Sequence, residues 1–124
     1  MKAEVNRDSM KLAICSQGRG LDSRVDSRFG RCSYFNIIDT ESGELETLSN
    51  ASIEASHGAG TAVTQALASA GVQAVCAEHI GPNAYSALSA AGIAMYRSNE
   101  SETVTDVVSA FRAGKLAPHS GATN

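Results

Sequence analysis

The order of elements legible in the sequence predicts an α/β domain on a five-stranded mixed sheet, in the order β-β-β-α-β-α-β-α. Three observations carry this. Two apolar runs flank a Glu41-Ser42-Gly43 turn, as in a hairpin. Gly71 and Gly92 each close a helical stretch just before a short apolar run. Beyond residue 60, helical and strand patterns alternate, which places helices on the faces of a sheet.

Taken in order, residues 1–9 are polar and without period, and read as a flexible N-terminal tail. Leu12-Ala13-Ile14-Cys15, ended by Ser-Gln-Gly, reads as a buried first strand. Residues 17–33 carry three glycines, four arginines and no period, so they form a long loop. Tyr34-Phe35-Asn36-Ile37-Ile38-Asp39 is aromatic and β-branched, hence a strand. Glu44 to Leu48 alternates polar with apolar, which gives the hairpin's second strand one wet face. Residues 50–60 read as loop. From 61 to 70 the apolar positions follow the helical period up to Gly71.

Residues 72–77 form the next buried strand, and Gly81-Pro82 opens a helix that stops at Gly92. Residues 93–97 are the last strand. Asn99 and Glu102 have capping-box spacing, and Val104, Val107, Val108 and Phe111 form the stripe of a last helix. Residues 115–124 read as a flexible C-terminal tail, so the folded unit is a single domain over 10–114. Strands 1 and 4 should then lie parallel and adjacent, with their carboxyl ends at the switch point where open α/β sheets bind ligands.

Composition narrows the function. A chain of 124 residues, 43% apolar and 19% charged, is one globular domain. No apolar run reaches the roughly 18 residues of a membrane span, and no apolar leader is visible, so a cytoplasmic protein without membrane contact is expected. The net charge of −3 disfavours a nucleic-acid partner. That mean conceals a basic loop, with Arg19, Arg24, Arg28 and Arg31, ahead of an acidic hairpin. The three cysteines contain no CxxC pair, which excludes a zinc finger and fits a reducing compartment.

Several side chains could carry chemistry at the switch point. Cys15 ends strand 1 and Cys76 ends strand 4, although both types of position suit a small buried hydrophobe. Cys32 follows Arg28-Phe29-Gly30-Arg31, and neighbouring cations favour the thiolate that binds soft metals. His57 precedes Gly58-Ala59-Gly60 and a helix, where backbone can approach a ligand closely. His79 and Gly81-Pro82-Asn83 occupy the matching place after strand 4. His119, in the tail, reads as inert. Neither glycine loop is a nucleotide motif, since both GxGxxG and the Walker lysine are absent. An arginine loop, two helix starts and soft or imidazole ligands suit a bulky anion with exchangeable metal positions. Enzyme readings are poorer: there is no GxSxG elbow, Asp39 and Glu78 are unpaired carboxylates, and Cys32 with His57 is a sparse nucleophile–base pair.

Met10-Lys11-Leu12-Ala13-Ile14, Leu21-Asp22, Val25, Arg28-Phe29-Gly30-Arg31-Cys32-Ser33-Tyr34-Phe35, His57-Gly58-Ala59-Gly60, Gly81-Pro82-Asn83-Ala84, Gly92-Ile93 and Tyr96-Arg97 occur in this order. Together they resemble the dinitrogenase iron–molybdenum cofactor biosynthesis family, the NifX-like group, especially its small stand-alone molybdenum–copper members. The resemblance implies a ribonuclease H-like three-layer α/β/α fold without catalysis. It also implies binding or carriage of an anionic metal–sulfur cluster of molybdenum–copper or iron–molybdenum type, with a protein partner in cluster delivery. Where some nitrogenase-associated members have histidine before the Phe-Gly pair, this chain has Arg28. The expected grip is therefore electrostatic, by Arg28 and Arg31. Gly30, Gly58, Gly60, Gly81 and Asn83 would supply backbone or polar contacts, with Cys32, His57 and Cys15 as candidate metal ligands. The loop over the cluster is expected to have few apolar anchors and to order on loading. The alternatives are a protein-interaction module without ligand and a small metal-dependent hydrolase.

Overall fold

In a computed structural model, the residues described are 10–29, 31–51, 62–99 and 102–122. Strand β1 (Lys11–Ser16) is buried over its last five residues and so takes the centre of the sheet. It pairs antiparallel with β2 (Tyr34–Asp39), which pairs antiparallel with the outer β3 (Leu45–Ser49). On its other side β1 runs parallel to β4 (Ala74–Cys76), which pairs parallel with β5 (Ala94–Tyr96). The sheet order is β3-β2-β1-β4-β5, the mixed ribonuclease H-like arrangement expected. Parallel strands need a crossover connection, and the apolar stripes of the intervening helices supply it.

Among the described residues, helices α1 (Ala62–Ser69) and α2 (Pro82–Ala90) lie on one face and α3 (Val104–Arg112) on the other. The alternation of β1 decides which core each residue joins. Ala13 and Cys15 pack with Phe29, Cys32, Phe35, Ile37, Leu67, Ile80 and Leu88 under α1 and α2. Leu12 and Ile14 pack with Val25, Ile38, Cys76, Val107 and Phe111 under α3. Gly71 and Gly92 adopt φ of +84° and +74° just past their helices, the left-handed geometry a closing residue needs.

Three expectations are corrected. The cap of α3 is Thr103, whose hydroxyl accepts from the Asp106 N–H while Asp106 accepts from the Thr103 N–H. Asn99 and Glu102 instead shape the preceding turn, where the Asn99 N–H donates to Glu102 Oε1 at 2.8 Å. The N-cap thus lies four residues later than that spacing implies, and the helix begins at Val104, which is fully buried.

Within residues 115–124, read as a tail, Ala117 to His119 lie along β5. The Arg97 N–H donates to the Ala117 carbonyl at 2.7 Å and the His119 N–H to the Met95 carbonyl at 3.0 Å. His119 is buried, and its Nε2 lies 2.8 Å from the Ala77 carbonyl. Three apolar side chains, Val25, Phe29 and Cys32, anchor the 17–33 loop, against the few expected.

Candidate functional site

The parallel pairing of β1 with β4 creates the switch point, and the loop fills it. As β1 ends, the Asp26 N–H donates to the Cys15 carbonyl and the Gln17 N–H to the Arg24 carbonyl, both at 2.8 Å. Val25 bridges to Ser16, so the loop first folds back on β1 as a narrow hairpin. It then crosses to the continuation of β4. There the His79 N–H donates to the Ser27 carbonyl at 2.8 Å, and the Phe29 N–H to the His79 carbonyl at 3.0 Å. Val25 belongs to the core under α3 and Phe29 to the core under α1 and α2. The chain therefore passes from one face of the sheet to the other between those two residues.

This crossing separates the four arginines. Arg19 lies over the Tyr34 ring, 4.9 Å from its centroid, and Arg24 bridges to Thr103 at the start of α3. Arg28 bridges to His79, and Arg31 follows in a turn closed by its N–H to the Arg28 carbonyl at 3.2 Å. All four side chains are exposed. The described residues contain one ion pair, His79 Nε2 to Glu78 Oε2 at 4.0 Å, so none of these guanidiniums is neutralised within them.

The thiols behave differently. Cys15 and Cys32 are each 1% exposed and share the core under α1 and α2. Burial, then Cys32 and the nearby Asp26 and Cys76 groups, push the Cys15 thiol well above its ordinary pKa. Cys76, on the α3 side, is raised likewise by burial and by Glu102. A protonated, enclosed thiol is a poor ligand until it is uncovered and ionised.

His79 keeps an unpartnered, buried Nδ1 among the described residues, beside the Arg28 bridge. Gly81 is the extended N-cap of α2, without a side-chain cap, and Pro82 and Asn83 follow it, exposed. Gly30, His57, Gly58 and Gly60 lie outside the described residues. Among the described residues no three or more His, Cys, Asp or Glu side chains are placed to hold a metal ion. No described helix is long and apolar enough to cross a membrane.

Two elements of this region escape sequence reasoning. His119 reaches Ala77 at the exit of β4, and the signal was a titratable side chain in an otherwise featureless tail. Asn36 is fully buried on β2 and bonded to the loop, and the signal was one amide inside an aromatic, β-branched strand. A separate cavity of about 320 Å³ opens at the opposite end of β1, lined by Lys11, Ile37, Asp39, Glu44, Leu45 and Glu46. Its carboxylates make it unsuited to an anion.

These features define a small ribonuclease H-like α/β protein with an exposed arginine loop folded into the switch point of its sheet. Residues 10–114 match the family described as "Dinitrogenase iron-molybdenum cofactor", and the chain belongs to that family. An uncharacterized protein of Methanocaldococcus jannaschii is 35% identical over 98 residues, covering 77% of this chain and 82% of that one. The apo form of the orange protein from Desulfovibrio gigas superposes with a TM-score of 0.84 at 34% identity, over 93% of this chain and 97% of that one. A proposed NifB protein from Thermotoga, of the DUF35 family, superposes with a TM-score of 0.80 at 41% identity, with the same coverage.

Proposed function

We propose that this protein binds and carries an anionic metal–sulfur cluster, of molybdenum–copper or iron–molybdenum type, without turning it over. The observation that carries the reading is the exposed pair Arg28 and Arg31 at the carboxyl ends of β1 and β4, which has no ion partner among the described residues. Two neighbouring exposed guanidiniums attract a multiply charged anion and donate charge-assisted hydrogen bonds to its sulfide or oxide edge. Family membership supports the cargo class, and a solved relative described as an apo form belongs to a protein that takes a ligand.

In this reading, Arg28 and Arg31 supply the first contact, and the Gly30 backbone and Gly81-Pro82-Asn83 line its edge. His57, Gly58 and Gly60, which lie outside the described residues, are the remaining candidates of the ligand set. Cys32 and Cys15 are the inner candidates, reached only if segment 29–33 lifts, because both thiols are enclosed. A cluster that brings its own sulfide needs few ligands from the protein.

The test is anaerobic reconstitution with tetrathiomolybdate plus cuprous ion, read as a visible charge-transfer band. The wild type should develop the band. The Arg28→Gln/Arg31→Gln variant should bind at least about tenfold more weakly, with a shallower salt dependence. A wild type that develops no band with this mixture or with an iron–sulfur precursor, and none as isolated, would overturn the reading.

A further inference from the structure

Asn36 sits at the middle of β2 with no solvent exposure, between Tyr34-Phe35 and Ile37-Ile38. Its side chain is engaged at both ends. Oδ1 accepts from the Gly20 N–H at 3.0 Å and from the Thr47 hydroxyl at 2.8 Å. Nδ2 donates to the Gly18 carbonyl at 3.0 Å. A backbone N–H can only be met by an acceptor and a carbonyl only by a donor, so the amide has one orientation here. Aspartate at this position would set a carboxylate against the Gly18 carbonyl, and leucine would leave both loop groups unpaired.

The residue bracketed by these two bonds is Arg19, the one loop arginine stacked on an aromatic ring. Tyr34 lies two residues before Asn36 on the same strand, and so on the same face of it. Gly20 holds φ at +100°, a conformation that lets the turn double back beneath the amide. One strand therefore provides both the clamp for the turn and the platform for the side chain. Ser16 pairs with Tyr34, which sets this platform beside the carboxyl end of β1, across the sheet from the Phe29–Cys32 side.

We propose that Asn36 is the positioning residue of the arginine loop: by clamping Gly18 and Gly20 it presents Arg19, stacked on Tyr34, as a fixed third cation for the anionic cargo. This rests on the cargo reading above and extends it to the α3 face, so that the end of β1 is flanked by guanidiniums on both sides. Asn36 itself touches no cargo, and its effect passes entirely through Arg19.

A double-mutant cycle with a second, cargo-free readout tests this. Arg19→Ala, Asn36→Ala and the double variant are titrated with tetrathiomolybdate plus cuprous ion. Each single variant should weaken binding by about tenfold, and the double should lose no more than about twofold beyond Arg19→Ala. Losses that multiply, or an Asn36→Ala variant that binds as the wild type does, overturn the proposal. In the unliganded protein, the Arg19 side-chain protons should show an upfield ring-current shift from Tyr34. Asn36→Ala and the isosteric Asn36→Asp should abolish it while the core methyl signals stay in place. Retention of that shift in both variants overturns the proposal. Failure of the wild type to bind thiometallate overturns the cargo reading instead, and with it the part of the proposal that names the cargo.

Discussion

The two halves of the 17–33 loop share a composition of arginine, glycine and serine, and both are hydrogen-bonded to the sheet, yet only the second adds aromatic burial. The half before Val25 is held by hydrogen bonds: Asn36 grips Gly18 and Gly20, and the Val104 and Thr105 N–H groups donate to the Ser23 and Leu21 carbonyls. The half after it bonds to His79 through Ser27 and Phe29 and adds burial, with Phe29 edge-on to Phe35 at 5.5 Å and Cys32 enclosed beside Cys15. Hydrogen bonds fix direction and are individually modest, whereas buried area fixes depth and is individually large. The first half should therefore govern where its guanidinium points, and the second whether the loop stays on the sheet at all.

The largest expected effect comes from removing the apolar anchor. Phe29→Ala should cost about 3–5 kcal/mol in chemical denaturation, since it empties an aromatic site in the core under α1 and α2. A loss below 1 kcal/mol would break the comparison. Asn36→Ala should cost about 1–3 kcal/mol, because it leaves a loop N–H and a loop carbonyl unpaired. Amide exchange at Gly20 should rise while that at Phe29 stays slow. Equal acceleration at both would mean that the halves act as one unit. Thr103→Ala should cost about 1 kcal/mol through loss of the α3 cap, and it should loosen Leu21 and Ser23 rather than Arg31. Exchange rates along the loop distinguish the two patterns.

The smallest effect belongs outside the loop, as a control. Asp39 accepts from the Ser42 and Glu41 N–H groups, which, with Lys11 nearby, hold its carboxyl below the usual value. A group whose pKa is lower in the folded state stabilises the fold above its unfolded pKa, and the contribution fades as acid protonates it. Stability of the wild type should thus fall slightly more between pH 5 and pH 2.5 than that of Asp39→Asn, with the loop unaffected. Denaturation midpoints at the two pH values check this.

Much of this architecture was legible because it is written in period and punctuation. The hairpin, the βα alternation and the parallel β1–β4 pair follow from apolar spacing and from Gly71, Pro82 and Gly92, which act locally. The arginine loop was legible as a loop but not as a crossing. Val25 and Phe29 are ordinary apolar residues four apart, and nothing in that spacing says they face different cores. The four arginines therefore read as one cluster, when the fold divides them between the two faces. Residues 115–122 were read as a tail because a single extended strap needs no period. Its hold depends on the outer backbone groups of β5, which no sequence pattern announces. The buried Cys15–Cys32 contact is illegible for the same reason, since it joins residues seventeen apart through a loop of irregular path.

The strap on β5 also bears on how these molecules coexist at high concentration. An open sheet has two outer strands, and each is a template on which another chain can polymerise. At one margin, Ala117 and His119 occupy groups on Arg97 and Met95 that an incoming strand would need. At the other, β3 is only five residues long and is flanked and interrupted by Glu44 and Glu46, whose like charges repel a second copy of the same margin. The sheet is thus guarded against self-templated growth in two ways, by self-coverage at one border and by charge at the other.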